Sequence, residues 1–336
     1  MGTRPSPLLE SVAAEAAREA HPLKLSLIVP ATDTPSTLEA CLDAIHASFD
    51  QPSEIIVIDS ATGPGAGLAR NNGAALATGD ILVFVDADVV VHPDAISRLH
   101  AHFEANPETA AVFGSYDDKP SAPGTVSSFR NLLHHHVHQT SAGHVGTFWA
   151  GLGAVRRDVF EEAGGFDPDR LWLEDVDLGI RLAEAGEEIV LDPAILGKHM
   201  KRWTLLGMVK TDFLHRAVPW MELILRHGHA STDLNLGWKH RASALSVLVL
   251  IVAAVLERPF AVVAAFAALV ALNSAFYRTL RRRQGVVSGL CGIGLHAIHH
   301  AVSIAAVPYA LAAYAVQRLR KRDSESVTAP AGRQSA

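Results

Sequence analysis

The sequence predicts an α/β fold, a doubly wound, mostly parallel sheet, followed by C-terminal transmembrane helices. Three observations carry this expectation. Apolar runs alternate with helix-periodic segments from Leu25 to Val85, the β-α-β-α-β order of a parallel sheet with crossover helices. The runs themselves are continuously apolar, as in strands covered on both faces. From about Ala242 onward the chain becomes strongly apolar, in stretches close to the roughly 20 residues that cross a bilayer.

Taken in order, Leu25-Ser26-Leu27-Ile28-Val29 reads as a buried strand closed by Pro30. Pro35-Ser36-Thr37 starts a helix whose Leu38, Cys41, Leu42, Ile45 and Phe49 share one face at 3–4 spacing. Glu54–Asp59 is the second strand. A glycine-rich loop, Gly63-Pro64-Gly65-Ala66-Gly67, leads into a helix near Leu68–Ala77. Ile81–Val85 is the third strand. Asp59 and Asp86 therefore sit beyond carboxyl ends of strands, where parallel α/β sheets bind ligands. A helix follows from roughly Asp94 to Ala105. Asp177 to Ala185 forms another, ended by Gly186, and Ile189-Val190-Leu191 is a short strand.

Composition narrows the function classes. The formal net charge of −6 over 336 residues argues against a nucleic-acid partner, whose affinity rests on a basic surface. Cys41 and Cys291 are too far apart for a metal or disulfide framework to be read from them. Residues 1–22 form a polar tail, and Met1 to His21 lacks the basic stretch and apolar core of a secretion signal. The catalytic part is accordingly expected in the cytoplasm, at a cell membrane crossed more than once by the C-terminal end.

Residues 203–240 read as amphipathic interfacial helices. Leu205, Val209 and Phe213 are spaced by four, with Lys210, Asp212 and Arg216 facing elsewhere, and Trp203 and Trp220 suit a membrane interface. An ordinary surface helix fits the same pattern. Pro219 is expected to kink or end the helix. Residues 241–317 are the transmembrane region. Ala242–Leu256 and Phe260–Tyr277 read as a helical hairpin split by Glu257-Arg258-Pro259, and Arg278, Arg281, Arg282 and Arg283 place its exit in the cytoplasm. The apolar stretch Gly285–Val316 lies between two basic clusters, which suits a tight hairpin or an interfacial segment plus one span, so two to four spans are open. Residues 318–336 read as a basic, disordered tail.

The chemistry begins at Asp86-Ala87-Asp88. A carboxylate pair at the end of an apolar strand can hold a hard divalent cation, Mg²⁺ or Mn²⁺, against the dianionic leaving group of sugar transfer from a nucleoside diphosphate. A bare pair at this spacing is weak, since most are solvated turns. Asp59-Ser60 ends the second strand, where a nucleoside would lie. Arg70 could meet a base or diphosphate, or form a surface ion pair of little worth. Asp175 could take the proton of an attacking hydroxyl. The helix dipole accounts for Glu174 or Asp177 better than for Asp175.

Val29-Pro30, Asp59-Ser60, Ala69-Arg70-Asn71-Asn72-Gly73, Gly79-Asp80, Phe84-Val85-Asp86-Ala87-Asp88, Gly164-Gly165-Phe166-Asp167 and Glu174–Leu182 occur in this order. The set resembles the family 2 glycosyltransferases of the GT-A fold, over roughly Leu23 to Trp203, with 23–202 as the transferase domain. The resemblance implies inverting transfer from a nucleoside-diphosphate sugar. It implies that Pro30, Asp59 and Arg70 line the nucleotide pocket, that Asp86 meets the ribose or metal-bound water, that Asp88 holds the metal and that Asp175 is the base. Ala31-Thr32-Asp33 replaces the family's aromatic-Asn-Glu, and Ser60 replaces the second acid of its usual pair.

His199-Met200-Lys201-Arg202-Trp203 resembles the Q/R-x-x-R-W motif of processive and lipid-directed members. By that likeness Arg202 meets phosphate, Trp203 stacks on a sugar or sits at the interface, and His199 contacts metal or diphosphate. A plain core or surface histidine is the other reading of His199. His134, His135, His136 and His138 suggest a solvated or acceptor-facing helix rather than a zinc site. His296, His299 and His300 lie in an apolar stretch, where polar groups are costly and often functional. They read as interfacial residues or as a site for a lipid phosphate.

The function expected is that of an inverting, metal-dependent hexosyltransferase. It would move sugar from a UDP- or other nucleoside-diphosphate sugar to a hydroxyl or phosphate of a membrane lipid or lipid-linked acceptor, working at the bilayer. A soluble small-molecule or polysaccharide acceptor is the first alternative. A non-catalytic membrane scaffold with a degenerate transferase domain is the second.

Overall fold

A computed structural model describes residues 23–33, 35–60, 63–228, 234 and 237–328. Strands β1 (Leu25–Pro30), β2 (Glu54–Ile58) and β3 (Ile81–Val85) are linked by helices α1 (Leu38–His46) and α2 (Ala66–Leu76). β1 lies between β2 and β3 and runs parallel to both. β1 and β3 alternate between two buried faces. Leu27, Val29, Val83 and Val85 pack on α1 through Cys41 and Ile45. Ile28, Leu82 and Phe84 face a second core with Phe160 and Phe166. This two-sided burial is why these strands carry no polar alternation. Phe49 departs from the expected apolar face. α1 ends at His46, so the 3–4 spacing stops there and Phe49 is 79% exposed.

Beyond β3 the chain adds β4 (Val89–Val91), α3 (Ala95–Ala105), β5 (Thr109–Tyr116), α4 (Thr125–Gln139), β6 (Gly143–His144), β7 (Leu152–Arg156), α5 (Arg157–Glu162), α6 (Glu174–Glu184) and β8 (Glu188–His199). The strand order is β2-β1-β3-β7-β5-β8-β4, with β6 on β8. The sheet is mixed rather than mostly parallel. β7 runs antiparallel between β3 and β5, and β4 and β6 run antiparallel to β8. β4 runs opposite to β3 because the chain joins them through the short Asp86-Ala87-Asp88 turn, not through a crossover helix.

β8 is much longer than the short strand expected at Ile189–Leu191. Its pairing with β5 slips between Phe113↔Leu191 and Ser115↔Leu196. Pro193, which lacks the N–H a regular ladder needs, sits inside this irregularity. Beyond it the strand resumes as far as His199.

The remainder is helical: α7 (Leu205–Lys210), a π-helical segment (Thr211–Ala217), α8 (Val218–His227), α9 (Trp238–Val255), α10 (Pro259–Leu272) and α11 (Ser274–Thr328). Pro219 does not end the helix. It follows the π-helical turn, whose altered hydrogen-bond ladder accommodates the missing N–H. Asp212, expected to face away from the packed side, is 1% exposed.

The second apolar run divides differently from the expectation. α10 stops at Leu272, while Phe276, Tyr277 and Leu280 belong to α11 and pack against Phe129, Leu132 and Leu133 of α4. α11 reverses direction at Gly285 (φ 85°), so that Gly289 packs on Arg281, Gly292 on Leu280 and His296 on Tyr277; the reversal falls at the start of the stretch Gly285–Val316 and not inside it. Its backbone stays helical to Thr328, as the Arg- and Glu-containing sequence favours. This differs from the disorder expected from residue 318, and residues 1–22 and 329–336 lie outside the described residues. Among the described residues, Trp238–Val255 and Ser274–Val316 are long and apolar enough to cross a membrane, by length and composition.

Candidate active site

The carboxyl ends of β1, β2 and β3 bring Pro30, Asp59 and Asp86 to one edge of the sheet. Pro30 pairs with Ile58 in register, and the Ala31 N–H donates to the Ile58 carbonyl at 2.8 Å, so Asp59 emerges beside the end of β1. Asp59 is exposed and accepts a 3.2 Å bond from the Ser60 hydroxyl. After β3 the chain turns tightly, the Val89 N–H donating to the Asp86 carbonyl at 2.9 Å. The Asp86 N–H donates to Gly151 at 3.1 Å, and the Cys41 thiol lies 3.7 Å from the Asp86 carbonyl.

Arg70 has a different position from the one expected. It is 3% exposed and spans two carboxylates, Nη2 to Asp86 Oδ1 at 2.6 Å and Nη1 to Glu174 Oε1 at 2.6 Å. Its guanidinium also lies 5.5 Å from the Phe166 ring centre. A weak surface pair does not describe this residue. Arg70 is a buried clamp joining the end of β3 to the start of α6. Burial drives the Asp86 carboxyl upward, and the Arg70 charge pulls it back only in part.

Asp88 and His199 come together through sheet pairing. Val89 faces His199 in the β4–β8 register, and the Met200 N–H donates to the Asp88 carbonyl at 2.8 Å. The His199 Nε2 then stands 3.4 Å from Asp88 Oδ2. Burial pushes the Asp88 carboxyl up, but the hydrogen bond and charge of His199, with the charge of Lys201, outweigh it and hold it below its ordinary value. The His199 ring is stacked on Tyr116 at 4.3 Å and 7°, which fixes the imidazole. A carboxylate oxygen and a ring nitrogen converging on one cleft fit a divalent cation such as Mn²⁺.

Asp175 lies in the first turn of α6. Its Oδ2 accepts from Ala150 N–H at 3.2 Å and its Oδ1 from Val176 N–H at 2.8 Å. Burial, reinforced by the Glu174 charge, pushes its carboxyl up to about 6. The neighbouring acids are engaged elsewhere, Glu174 with Arg70 and Asp177 with Arg181 at 2.9 Å. α6 is placed by two local features. Leu173, just before it, takes the left-handed conformation (φ 60°, ψ 31°), a strain of about 1–3 kcal/mol of the kind that clusters at functional sites. Gly179 lets the helix approach the Thr147–Phe148 backbone so closely that a Cβ there would collide with it.

A cleft of about 400 Å³ is lined by Asp86, Asp88, Tyr116, Trp149, His199 and Lys201, and also by Trp172 and Trp203. Trp203 sits between two cations, Arg130 at 5.1 Å and Lys201 at 4.8 Å from its ring. Arg202, expected to reach phosphate, is exposed, and Lys201 lines the cleft instead. His199, Lys201 and Trp203 line the cleft at every second position, the spacing of an extended backbone.

The α4 histidines are not on a solvated helix. The His134 and His138 rings lie 3.9 Å apart, tilted by 33°, against Trp149 and Tyr116, and His138 Nδ1 meets the Gly114 carbonyl at 2.9 Å. Burial lowers His138 to about 4. A second cavity of about 380 Å³ shares Trp149, Leu173 and Arg216 with the cleft and runs from Asp175 to Trp220, Ile224, Ile304 and Val307. At its wall a buried ionic centre joins three parts of the chain: Asp212 meets Arg130 of α4 at 2.9 Å and His299 of α11 at 2.8 Å.

Tyr116, Trp149, Lys201, Arg130 and Asp212 were missed in the sequence. Tyr116 had one available signal, its place at the carboxyl end of a buried apolar run.

The mixed α/β sheet with acids at its carboxyl edge is like that of GT-A structures. Residues 61–164 match the family model described as Glycosyl transferase family 2, a span that includes Arg70, Asp86 and Asp88. The chain is 25% identical over 236 residues to the O-antigen chain rhamnosyltransferase RfbN of Salmonella typhimurium, covering 60% of this chain and 75% of that one. It is 26% identical over 172 residues to the glucosyl-dolichyl phosphate glucuronosyltransferase of Haloferax volcanii, covering 47% and 50%. It is 30% identical over 190 residues to the pre-mycofactocin glycosyltransferase of Mycobacterium tuberculosis, covering 54% and 39%. The chain thus spans half or less of the second and third of these relatives. Among solved structures, the mannosyltransferase PcManGT of Pyrobaculum calidifontis, in complex with GDP-Man and Mn²⁺, shares the fold at TM-score 0.52 and 16% identity, over 91% of this chain and 94% of that one. The family match, the relatives and the fold support a family 2 glycosyltransferase.

Proposed function

We propose that the chain is an inverting glycosyltransferase that moves a sugar from a nucleoside diphosphate, UDP favoured, to a membrane lipid or lipid-linked acceptor. The observation that supports this best is the continuity of the two cavities. Asp88 and His199 line a polar cleft, and from Asp175 a largely apolar cavity leads away between α8 and α11. A charged donor and an acceptor with an apolar body each meet a matching environment, with Asp175 between them.

In this reading Asp88 and His199 hold the divalent cation, which when bound neutralises the diphosphate leaving group. Asp86, fixed by Arg70, faces the ribose. Asp59 and Pro30 border the nucleoside end. Asp175 accepts the proton of the acceptor hydroxyl as that oxygen attacks the anomeric carbon, and its raised carboxyl suits a base working near neutral pH. Lys201 supplies positive charge to the donor phosphates, and Trp203 offers a ring for the sugar.

Membrane attachment belongs to the same proposal. Leu245, Val249, Val252, Phe260 and Val263 of α9 and α10 are all exposed, an apolar surface too extensive for water alone. Arg283 pairs with Asp118 beside β5, which puts the basic cluster on the same side as the cleft and, by the positive-inside rule, favours a cytoplasmic site. The divisions at 23–202, 203–240 and 241–317 are proposed on these grounds.

Mass spectrometry of membrane lipids from cells with and without the gene tests the acceptor. A glycolipid should vanish, or its unglycosylated precursor accumulate, when the gene is deleted. An unchanged lipid profile with a missing soluble glycoside would favour the soluble-acceptor reading.

A further inference from the structure

A group of histidines in the C-terminal helices is not used by the proposed reaction. His296 and His300 are spaced i, i+4 on α11, so they share one face. They are 1% and 3% exposed. His240, in the first turns of α9, faces them, with ring centres 6.4 Å from His296 and 5.8 Å from His300. One ring nitrogen from each of the three lies within 4.8 Å of the others.

The hydrogen bonding singles out which atoms point inward. His296 Nδ1 is 3.1 Å from the Tyr277 hydroxyl. The Nε2 atoms of His296 and of His300 are both buried with no hydrogen-bond partner. Leaving two polar nitrogens unsatisfied in an apolar setting is costly, so the pair calls for a ligand. A phenol on the outer nitrogen of a ring whose inner nitrogen is free is the outer-shell arrangement that orients metal-bound imidazoles.

From this geometry we infer that His240, His296 and His300 form a second metal site, separate from Asp88 and His199, for a zinc-class divalent ion. Imidazole donors favour Zn²⁺, Co²⁺, Ni²⁺ or Cu²⁺ over Mg²⁺ and Mn²⁺, which prefer oxygen. Zn–N bonds of about 2.0–2.1 Å put tetrahedral ligand nitrogens roughly 3.3 Å apart, so modest ring movements close the site. Three protein ligands leave a fourth position. His240 and His300 both border the apolar cavity that reaches Asp175, so water or a polar group of a molecule in that cavity completes the shell. The ion ties α9 to α11 and thereby fixes the wall of the cavity.

The test uses the full chain, without a polyhistidine tag, purified in detergent, stripped with chelator and titrated with Zn²⁺ and Co²⁺. One equivalent of Zn²⁺ should be retained in the presence of excess Mg²⁺, and Co²⁺ should give the intense visible absorption of a tetrahedral site. Asp88→Ala should keep this equivalent, while His296→Ala and His300→Ala should each lose it. Bound Zn²⁺ should also raise the Tm of the wild type but not of the two variants. The inference is overturned if the wild-type chain takes up no Zn²⁺ and gives no tetrahedral Co²⁺ spectrum, as it would if ordered water satisfied the histidines. It is overturned equally if Asp88→Ala loses the metal and His300→Ala keeps it. Neither outcome depends on whether the cleft transfers sugar.

Discussion

The His199 imidazole and the Asp88 carboxylate stand 3.4 Å apart, brought together by the pairing of Val89 with His199. Removing either donor should weaken Mn²⁺-dependent binding of the donor nucleotide by about tenfold or more, the effect of losing roughly 1.4 kcal/mol. Calorimetric titration of Asp88→Ala and His199→Ala with UDP and GDP, with and without Mn²⁺, checks this. Binding without metal should be nearly unchanged in both variants.

Arg70 makes a separate prediction because it is a clamp. Arg70→Ala leaves Asp86 and Glu174 without their buried cation, a loss of about 3–5 kcal/mol. Arg70→Lys should recover only part of this, since an ammonium cannot match the forked contact. Chemical denaturation measures both. A normal stability with a raised donor KM would show that Arg70 acts on the nucleotide and not as a clamp.

Much of this arrangement was legible from short segments. Asp86, Asp88 and Asp175 each follow a local signal, a buried strand's end or a helix start, and the β-α-β order put Asp59 and Asp86 at one edge. What escaped was set by long-range pairing and burial. The extension of β8 past Pro193 depends on β5 and carries His199 to Asp88. Arg70 looks like any helix arginine until Glu174, far along the chain, closes over it. Phe49 fitted the spacing of α1 but fell past its end. Asp212 read as a polar face residue because its partners, Arg130 and His299, come from distant helices.

The pH dependence follows from Asp175. Its carboxyl is raised to about 6, and the base must be ionised to accept a proton. Sugar transfer, followed as kcat/KM, should therefore be level at higher pH and fall with unit slope as the pH drops through about 6. A profile level down to the ordinary carboxylate range near pH 4 would show that another group is the base.

Gly179 is predicted to tolerate no side chain. Gly179→Ala pushes α6 away from the Thr147–Phe148 backbone, with an overpacking cost of about 1–3 kcal/mol. Because Asp175 rides on this helix, kcat should drop more than donor affinity does. Steady-state kinetics together with thermal unfolding separates the two effects. Unchanged kcat in a destabilised protein would show that Asp175 is positioned by Ala150 and not by the helix seat.

The decisive measurement is transfer of radiolabelled sugar from a panel of nucleoside-diphosphate sugars to a membrane lipid extract, by detergent-solubilised protein with Mn²⁺. Label should pass to lipid from at least one donor, and Asp175→Asn should abolish that transfer while still binding the nucleotide. No transfer and no donor hydrolysis from any of the common donors would contradict the assignment as a glycosyltransferase.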